Sequence, residues 1–282
     1  MYFAKVAILG VGLIGASLGL ALKKYAIAGS VIGYGRTKEN LLRAQERAII
    51  DSFELDAAAA CDQADLIVFA TPVGVFTDIA RHLTPVLKEG TIITDVGSVK
   101  GRLVGEMERI LAPRGSFVGA HPIAGSDRSG IDAASADLFS KAQCVVTPTK
   151  ATDQAALEKI ISLWRAFGSA VTLLEPLEHD RIYGAVSHLP HLLAYELINT
   201  IADIDSTYFN FSGRGFKDTT RIAGSQPELW RDICKLNREN ILAYIEIFKN
   251  HLDRVSTYLK NNDGESLLKD FREARALRER IG

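Results

Sequence analysis

Apolar positions in the first part of the chain fall in short, nearly continuous runs; in the last part they recur at helical spacing. Residues 6–9, 30–34, 65–72, 90–96, 116–120, 143–147 and 170–174 read as strands, because each is a brief apolar run with β-branched residues bounded by turn-forming ones. The run at 65–72, DLIVFATP, is continuous rather than alternating, as a strand buried on both faces of a parallel sheet requires. Between these runs, residues 16–24, 40–50, 75–87, 102–111 and 153–167 carry helical patterns. The alternation predicts an α/β domain with a parallel sheet over residues 1–170.

After residue 178 no strong strand pattern appears, and residues 179–204, 228–260 and 265–280 read as long helices. An all-α second domain is therefore expected over residues 171–282. In its first helix Ala185, Val186, Leu189, Leu192, Leu193, Ala194, Leu197, Ile198 and Ile201 cover most of the circumference. Burial on more than one side is implied, supplied either by a homodimer or by the rest of the domain. Breaks at 212–215 and 261–264 read as loops.

The first strand runs directly into Gly10-Val-Gly12-Leu13-Ile14-Gly15, a G-x-G-x-x-G turn that opens a helix. Gly10 permits the tight turn, Gly12 close approach of backbone to a pyrophosphate, and Gly15 packing of helix on strand, while the helix N-terminus favours the anion. A Rossmann-type nucleotide domain is the expectation, with Gly10, Gly12, Leu13, Ile14 and Gly15 as cofactor-binding candidates. Thr71 and Pro72 join them, since they end a strand where open α/β sheets keep their ligand crevice. At the end of the second strand, where a carboxylate would bond the ribose 2′-hydroxyl of NAD, the chain has Gly35-Arg36-Thr37. A guanidinium and a hydroxyl in that place suit the 2′-phosphate of NADP, so the reading leans to NADP. The alternative, Arg36 as a solvated residue stacking on adenine, admits NAD as well.

Lys and Arg total 33 against 34 Asp and Glu, a formal net charge of −1, so no charge excess points to nucleic acid or an anionic membrane surface. Small-molecule partners are expected. Cys61, Cys144 and Cys234 lie far apart without a C-x-x-C spacing, which fits buried thiols in a reducing compartment. No signal-peptide pattern and no bilayer-length apolar run is present, so a cytoplasmic location is expected.

The chemistry is expected around GAHPIAGSDRSG at 119–130, where His121 follows a short strand and precedes a glycine-bounded polar loop. With an ordinary pKa of about 6.5, a histidine at the crevice mouth can take a proton from a hydroxyl carbon while a nicotinamide takes its hydride. Its plainer alternative is a hydrogen-bonded structural histidine. Ser98, in TDVGSVK, is placed to bond the same hydroxyl or merely to cap the next helix. His188 and His191 share a helical face but lack a third ligand at metal spacing, and Pro190 suggests a bent helix end; no metal is expected. Arg214, Lys217, Asp218, Arg221 and Trp230, in the glycine-rich connection after residue 212, suit a substrate bearing carboxylates, with Asp218 orienting an arginine.

These motifs together, GVGLIGAS, ATPV, TDVGSVK, GAHPIAGSDRSGI, VTPT, EHDR, SHLPH and GFKDTTRIAGSQPELWRDI, resemble the prephenate and arogenate dehydrogenase family of tyrosine biosynthesis from residue 8 to residue 233. The resemblance implies a helical domain that dimerises and oxidative decarboxylation of a cyclohexadiene bearing a ring carboxylate and a 4-hydroxyl. By resemblance His121 takes the hydroxyl proton, Ser98 assists, His188 contacts substrate and Arg221 binds a carboxylate, with Asp218 and Trp230 in support. Gly35-Arg36 departs from the acidic residue many relatives carry, so NAD preference is not inherited. The ammonium of arogenate would welcome a carboxylate, for which Asp127 and Asp180 are candidates. Two alternatives stand beside this reading: a β-hydroxyacid or imine-type dehydrogenase using Lys217, and a dimeric NADP-binding sensor without turnover.

Overall fold

A computed structural model describes residues 1–112, 114–125 and 130–281. Eight strands, β1 (Phe3–Leu9), β2 (Ala28–Tyr34), β3 (Ser52–Glu54), β4 (Leu66–Phe69), β5 (Thr91–Asp95), β6 (Gly115–Ile123), β7 (Gln143–Thr147) and β8 (Ala170–Leu173), form one sheet in the order β3-β2-β1-β4-β5-β6-β7-β8. All pairings are parallel except β6 with β7. The chain runs outward from β1 to β3 and then returns to β4 on the other side of β1. That reversal is the topological switch point, and it opens a crevice beyond the carboxyl ends of β1 and β4.

Strand pleating divides the core in two, since alternate side chains face opposite layers. Val6, Ile8, Leu66 and Val68 pack with α1 (Leu13–Lys24), α2 (Lys38–Glu46) and α6 (Gln154–Ala166), whose Trp164 is fully buried. Ala7, Leu9, Ile67 and Phe69 pack with α3 (Ala57–Cys61), α4 (Phe76–Leu83) and α5 (Gly101–Leu111). Every strand read from the apolar runs is present. The short β3 and α3, which the pattern did not announce, complete the β2 edge: three residues of SFE are too few to set up a period.

The helical part comprises α7 (Pro176–Tyr183), a π-helical turn (Gly184–His188), α8 (Leu189–Asp205), α9 (Arg214–Thr220), α10 (Pro227–Leu236), α11 (Arg238–Lys260) and α12 (Gly264–Arg278). Three expectations need correction here. The helix expected over 179–204 is two helices joined by the π turn, with Pro190 in the first turn of α8, where a missing N–H costs nothing. The helix expected over 228–260 breaks at Asn237, whose side chain is engaged elsewhere. The connection read as a loop from residue 212 holds α9. Trp230 and Ile233 of α10 close the layer beneath α4 and α5, so the helical part shares the core of the sheet. No helix among the described residues is long and apolar enough to cross a membrane.

Candidate active site

The glycine turn between β1 and α1 is built by close contact. Gly10 has φ +104°, and a Cβ there would stand 2.5 Å from the Ala70 carbonyl oxygen, where the β4 end crosses it. A Cβ on Gly15 would stand 1.9 Å from the Gly10 carbonyl oxygen, so this glycine holds the turn against the helix. Gly12 differs: nothing in the protein lies within 4 Å of its Cβ position. It caps α1, with no side-chain cap and no acidic residue in the first turn, so the amides of Leu13, Ile14 and Gly15 have no intrahelical acceptor and face an open space. Thr71 Oγ1, at the end of β4, is buried without a hydrogen-bond partner, and Pro72 beside it is exposed. Unsatisfied donors around an uncrowded glycine fit a dinucleotide phosphate. Asn40 donates to the Val11 carbonyl at 2.9 Å, tying the turn to α2. Arg36 is exposed at the end of β2, and Thr37 caps α2 without spending its hydroxyl on the cap.

Beyond β5 the backbone is clamped by a buried ion pair. Asp95 accepts the amides of Gly97 at 2.8 Å and Ala120 at 3.0 Å, and it pairs with Lys100. The Lys100 ammonium also donates to the Gly97 carbonyl at 2.8 Å. Both side chains are 1 % exposed, so the loop carrying Ser98 is locked to β6 one residue before His121. Burial pushes the Asp95 carboxyl up, against the pull of Lys100. Ser98 is half-buried at the bend.

His121 lies inside β6, which runs to Ile123, rather than just after the strand as expected. Its Nδ1 is 2.8 Å from His179 Nε2, and its ring meets the Tyr183 ring edge-on at 5.0 Å. Burial first, then the cost of a positive charge beside the His179 ring and the Lys100 ammonium, hold its pKa well below the ordinary histidine value, so it is a neutral imidazole.

The third wall comes from the helices. The π turn swings His188 fully inward. There Asn237 shares a 3.0 Å hydrogen bond with its Nδ1, while also donating to the Asp180 carbonyl at 2.8 Å. The Ser98 carbonyl lies near enough to favour a proton on His188, but no acceptor completes a bond to Nε2, which is buried and unpartnered. Burial pushes the His188 pKa down to about 4. His191 stacks on Trp230 at 3.7 Å and bonds the Ser187 carbonyl at 2.9 Å, so Trp230 fixes the two-histidine turn. Arg221, exposed at the end of α9, is close enough to lower the His191 pKa, after burial. Asp218 sits on the open face of α9 in an ion pair with Arg214 at 3.4 Å.

Asp127 lies outside the described residues. Asp180 does not offer a free carboxylate for an ammonium: it is 4 % exposed, with Oδ1 taken by the Lys100 amide at 2.7 Å and by His179 at 2.8 Å. Among the described residues no cluster of three His, Cys, Asp or Glu is placed to hold a metal ion. Sequence reading missed His179, Tyr183, Lys100 and Asn237, and gave Asp180 a different role. Only the adjacent acid–base pair in EHDR signalled the first.

A doubly wound sheet with an open glycine turn, and an imidazole on the neighbouring strands, defines a nucleotide-dependent dehydrogenase. Residues 18–173 match the model of the prephenate dehydrogenase nucleotide-binding domain, and residues 175–273 that of the prephenate dehydrogenase dimerization domain. Prephenate dehydrogenase of Bacillus subtilis is 33% identical over 97% of this chain and 75% of its own length. The crystal structure of A. aeolicus prephenate dehydrogenase, in complex with hydroxyphenyl propionate and NAD+, superposes with a TM-score of 0.94 at 36% identity, covering 100% of this chain and 99% of that one. Synechocystis arogenate dehydrogenase follows at 0.80 and 30% identity, covering 99% and 100%. The chain belongs to the prephenate dehydrogenase family; it is an oxidoreductase, and its nucleotide is NAD(P). The β-hydroxyacid and sensor alternatives fall with that assignment, and Lys217 is exposed on α9.

Proposed function

We propose that the protein oxidises and decarboxylates prephenate to 4-hydroxyphenylpyruvate, in the cytoplasm, as a homodimer that prefers NADP. The observation that carries the chemistry is the neutral, buried His121 in β6, with Ser98 at the end of the adjacent strand. A bound nicotinamide supplies the hydride acceptor. His121 accepts the proton of the ring hydroxyl, Ser98 bonds the same oxygen, and the unpartnered Nε2 of His188 donates to the substrate. Arg221 takes a carboxylate, with Trp230 and Asp218 supporting that side; loss of carbon dioxide restores aromaticity and draws the step forward. Thr71, Pro72 and the amides of Leu13, Ile14 and Gly15 around Gly10 and Gly12 hold the dinucleotide, and Arg36 with Thr37 reads its 2′-phosphate.

Support for the dimer comes from α8, where Ala194 is the one buried residue despite the apolar circumference, and from exposed Leu242, Leu252, Leu259 and Phe271 on α11 and α12. The division between nucleotide and substrate halves falls after β8 rather than between residues 170 and 171, since residues 170–173 pair with β7 in the sheet. The deciding experiment is steady-state turnover on prephenate and on arogenate, each with NAD and with NADP. A kcat/KM highest for prephenate with NADP is expected. Preference for arogenate reassigns the substrate, and Asp127→Asn then tests whether that carboxylate reads the ammonium; equal use of both nucleotides removes Arg36 as a phosphate reader.

A further inference from the structure

Behind His121 stands a file of buried polar groups that the proposed reaction leaves idle. His121 Nδ1 meets His179 Nε2 at 2.8 Å, and His179 Nδ1 meets Asp180 Oδ1 at 2.8 Å. His179 is fully buried, and Asp180 nearly so. The protons can be placed from the far end inward. Asp180 Oδ1 already accepts the Lys100 amide, so it stands as an acceptor and His179 Nδ1 must donate to it. Burial, reinforced by the Lys100 charge, pushes the His179 pKa down to about 2, so its ring carries that proton alone. Nε2 of His179 is therefore a lone pair, which accepts from His121 Nδ1–H. The remaining nitrogen of His121, Nε2, is left bare.

We propose that His179 and Asp180 are positioning residues for the oxidation: they hold His121 in the tautomer whose Nε2 is free, and the Asp180 carboxylate offsets the positive charge His121 acquires with the hydroxyl proton. The proposal rests on His121 being the proton acceptor. The hydroxyl proton moves to Nε2 of His121, while the Nδ1 protons of His121 and His179 stay where they are, each strengthening its hydrogen bond; the hydride goes to the nicotinamide, carbon dioxide leaves, and as the ring becomes aromatic the proton returns from Nε2 to the phenolic oxygen. Asp180 remains ionised throughout. Its own titration supplies a signature, because burial pushes its carboxyl up to about 6. The other titratable groups facing His121 are the Asp95–Lys100 pair from the β5 side, Cys144 on β7, Tyr183 on α7 and His188 on the π turn. Cys144 and Tyr183 are pushed up by burial and His188 down to about 4; Asp95 is also pushed up by burial but is held in its ion pair with Lys100, and Asp180, raised to about 6, is the group whose removal the variant below tests.

Two measurements test this. Long-range proton–nitrogen spectra of protein labelled at its six histidines, taken above neutral pH and assigned by single His→Asn variants, read the tautomers without turnover. His121 and His179 are both expected neutral with the proton on Nδ1; a proton on Nε2 of His121 overturns the proposal. Asp180→Asn keeps the size and an acceptor oxygen but removes the charge. It is expected to lower the kcat plateau about 100-fold and to erase the acid limb near pH 6. Unchanged kcat, or a loss equal at every pH with the limb in place, overturns it. If this variant fails to fold, the wild-type spectra still decide. Undiminished kcat in His121→Asn sinks the base assignment itself, whereas its loss together with an Nε2-protonated His121 sinks only the positioning role.

Discussion

His121 is a weak base by the time the fold has finished with it, since burial, the adjoining His179 ring and the Lys100 ammonium disfavour its protonated form. Its value lies in placement, because hydride loss and rearomatisation leave little for basicity to do. His121→Asn is expected to lower kcat by about 100- to 10,000-fold, the usual worth of a positioned base. Nucleotide affinity, measured by fluorescence titration, should stay within error, because no atom of the glycine turn depends on that ring. The sequence singled out His121 from the strand before it, the flanking glycines and Pro122, although the fold sets it inside β6 rather than after the strand. Its partner was not legible there, because His179 is 58 residues away and meets it only when α7 packs beneath β6. Ser98, His188, Arg221 and Trp230 were legible as types in motifs. Which of them face inward was decided elsewhere.

At the scale of the element, the glycine turn and the π turn make a contrast. G-x-G-x-x-G is a local device, so its geometry follows from spacing, yet its glycines are not equivalent. Gly12→Ala places a methyl in open space, and is expected to leave Tm unchanged while weakening nucleotide binding at least tenfold by titration. Gly15→Ala drives a methyl into the Gly10 carbonyl, and calorimetry should show a Tm fallen by several degrees or no folded protein. The π turn could not be read from apolar periodicity, which sees one helix from 179 onward. One extra residue in the turn shifts the phase, leaving Val186 66% exposed and His188 fully buried. Gly184 allows it, since a Cβ there would lie 3.0 Å from the Tyr244 ring and 3.1 Å from Asn237 Nδ2 on the neighbouring helix. Gly184→Leu is expected to part the π turn from α11, break the Asn237–His188 bond and raise KM for the substrate more than KM for the nucleotide.

For the whole molecule, buried histidines tie stability to pH. His121, His179 and His188 are neutral in the fold with pKa values below the ordinary 6.5, reaching about 4 for His188 and about 2 for His179. The unfolded chain binds protons at these sites first, so the stability they contribute is whole above pH 6.5 and is lost as pH falls below it. Asp95 and Asp180 act in the opposite sense: their carboxyls are raised above the ordinary 3.8, so the fold takes a proton before the unfolded chain does. His191 is lowered as well, so four histidines take up protons on unfolding against two carboxyls that release them, and the net effect is stability lost as pH falls. Denaturant midpoints should therefore fall steadily between about pH 6.5 and about pH 4.5; a flat profile would mean that the histidines are not buried neutral. In the same solutions, sedimentation is expected to give twice the chain mass of 30.7 kDa.

Short-range order was written into the chain: strand runs, helical spacing, the glycine turn and the residue types at each strand end follow from contacts between neighbours a few positions apart. That is enough to specify a doubly wound sheet and to put a histidine, a serine and a phosphate cradle at its carboxyl edge. Long-range order belongs to the packed molecule. The inward turn of His188, the stacking of His191 on Trp230 and the burial of Asp180 each join segments brought together by the closing of α7 and α10 on the sheet. The reason is energetic: a buried proton's position depends on the desolvation and charge around it, and those exist only after the chain has excluded water from the site.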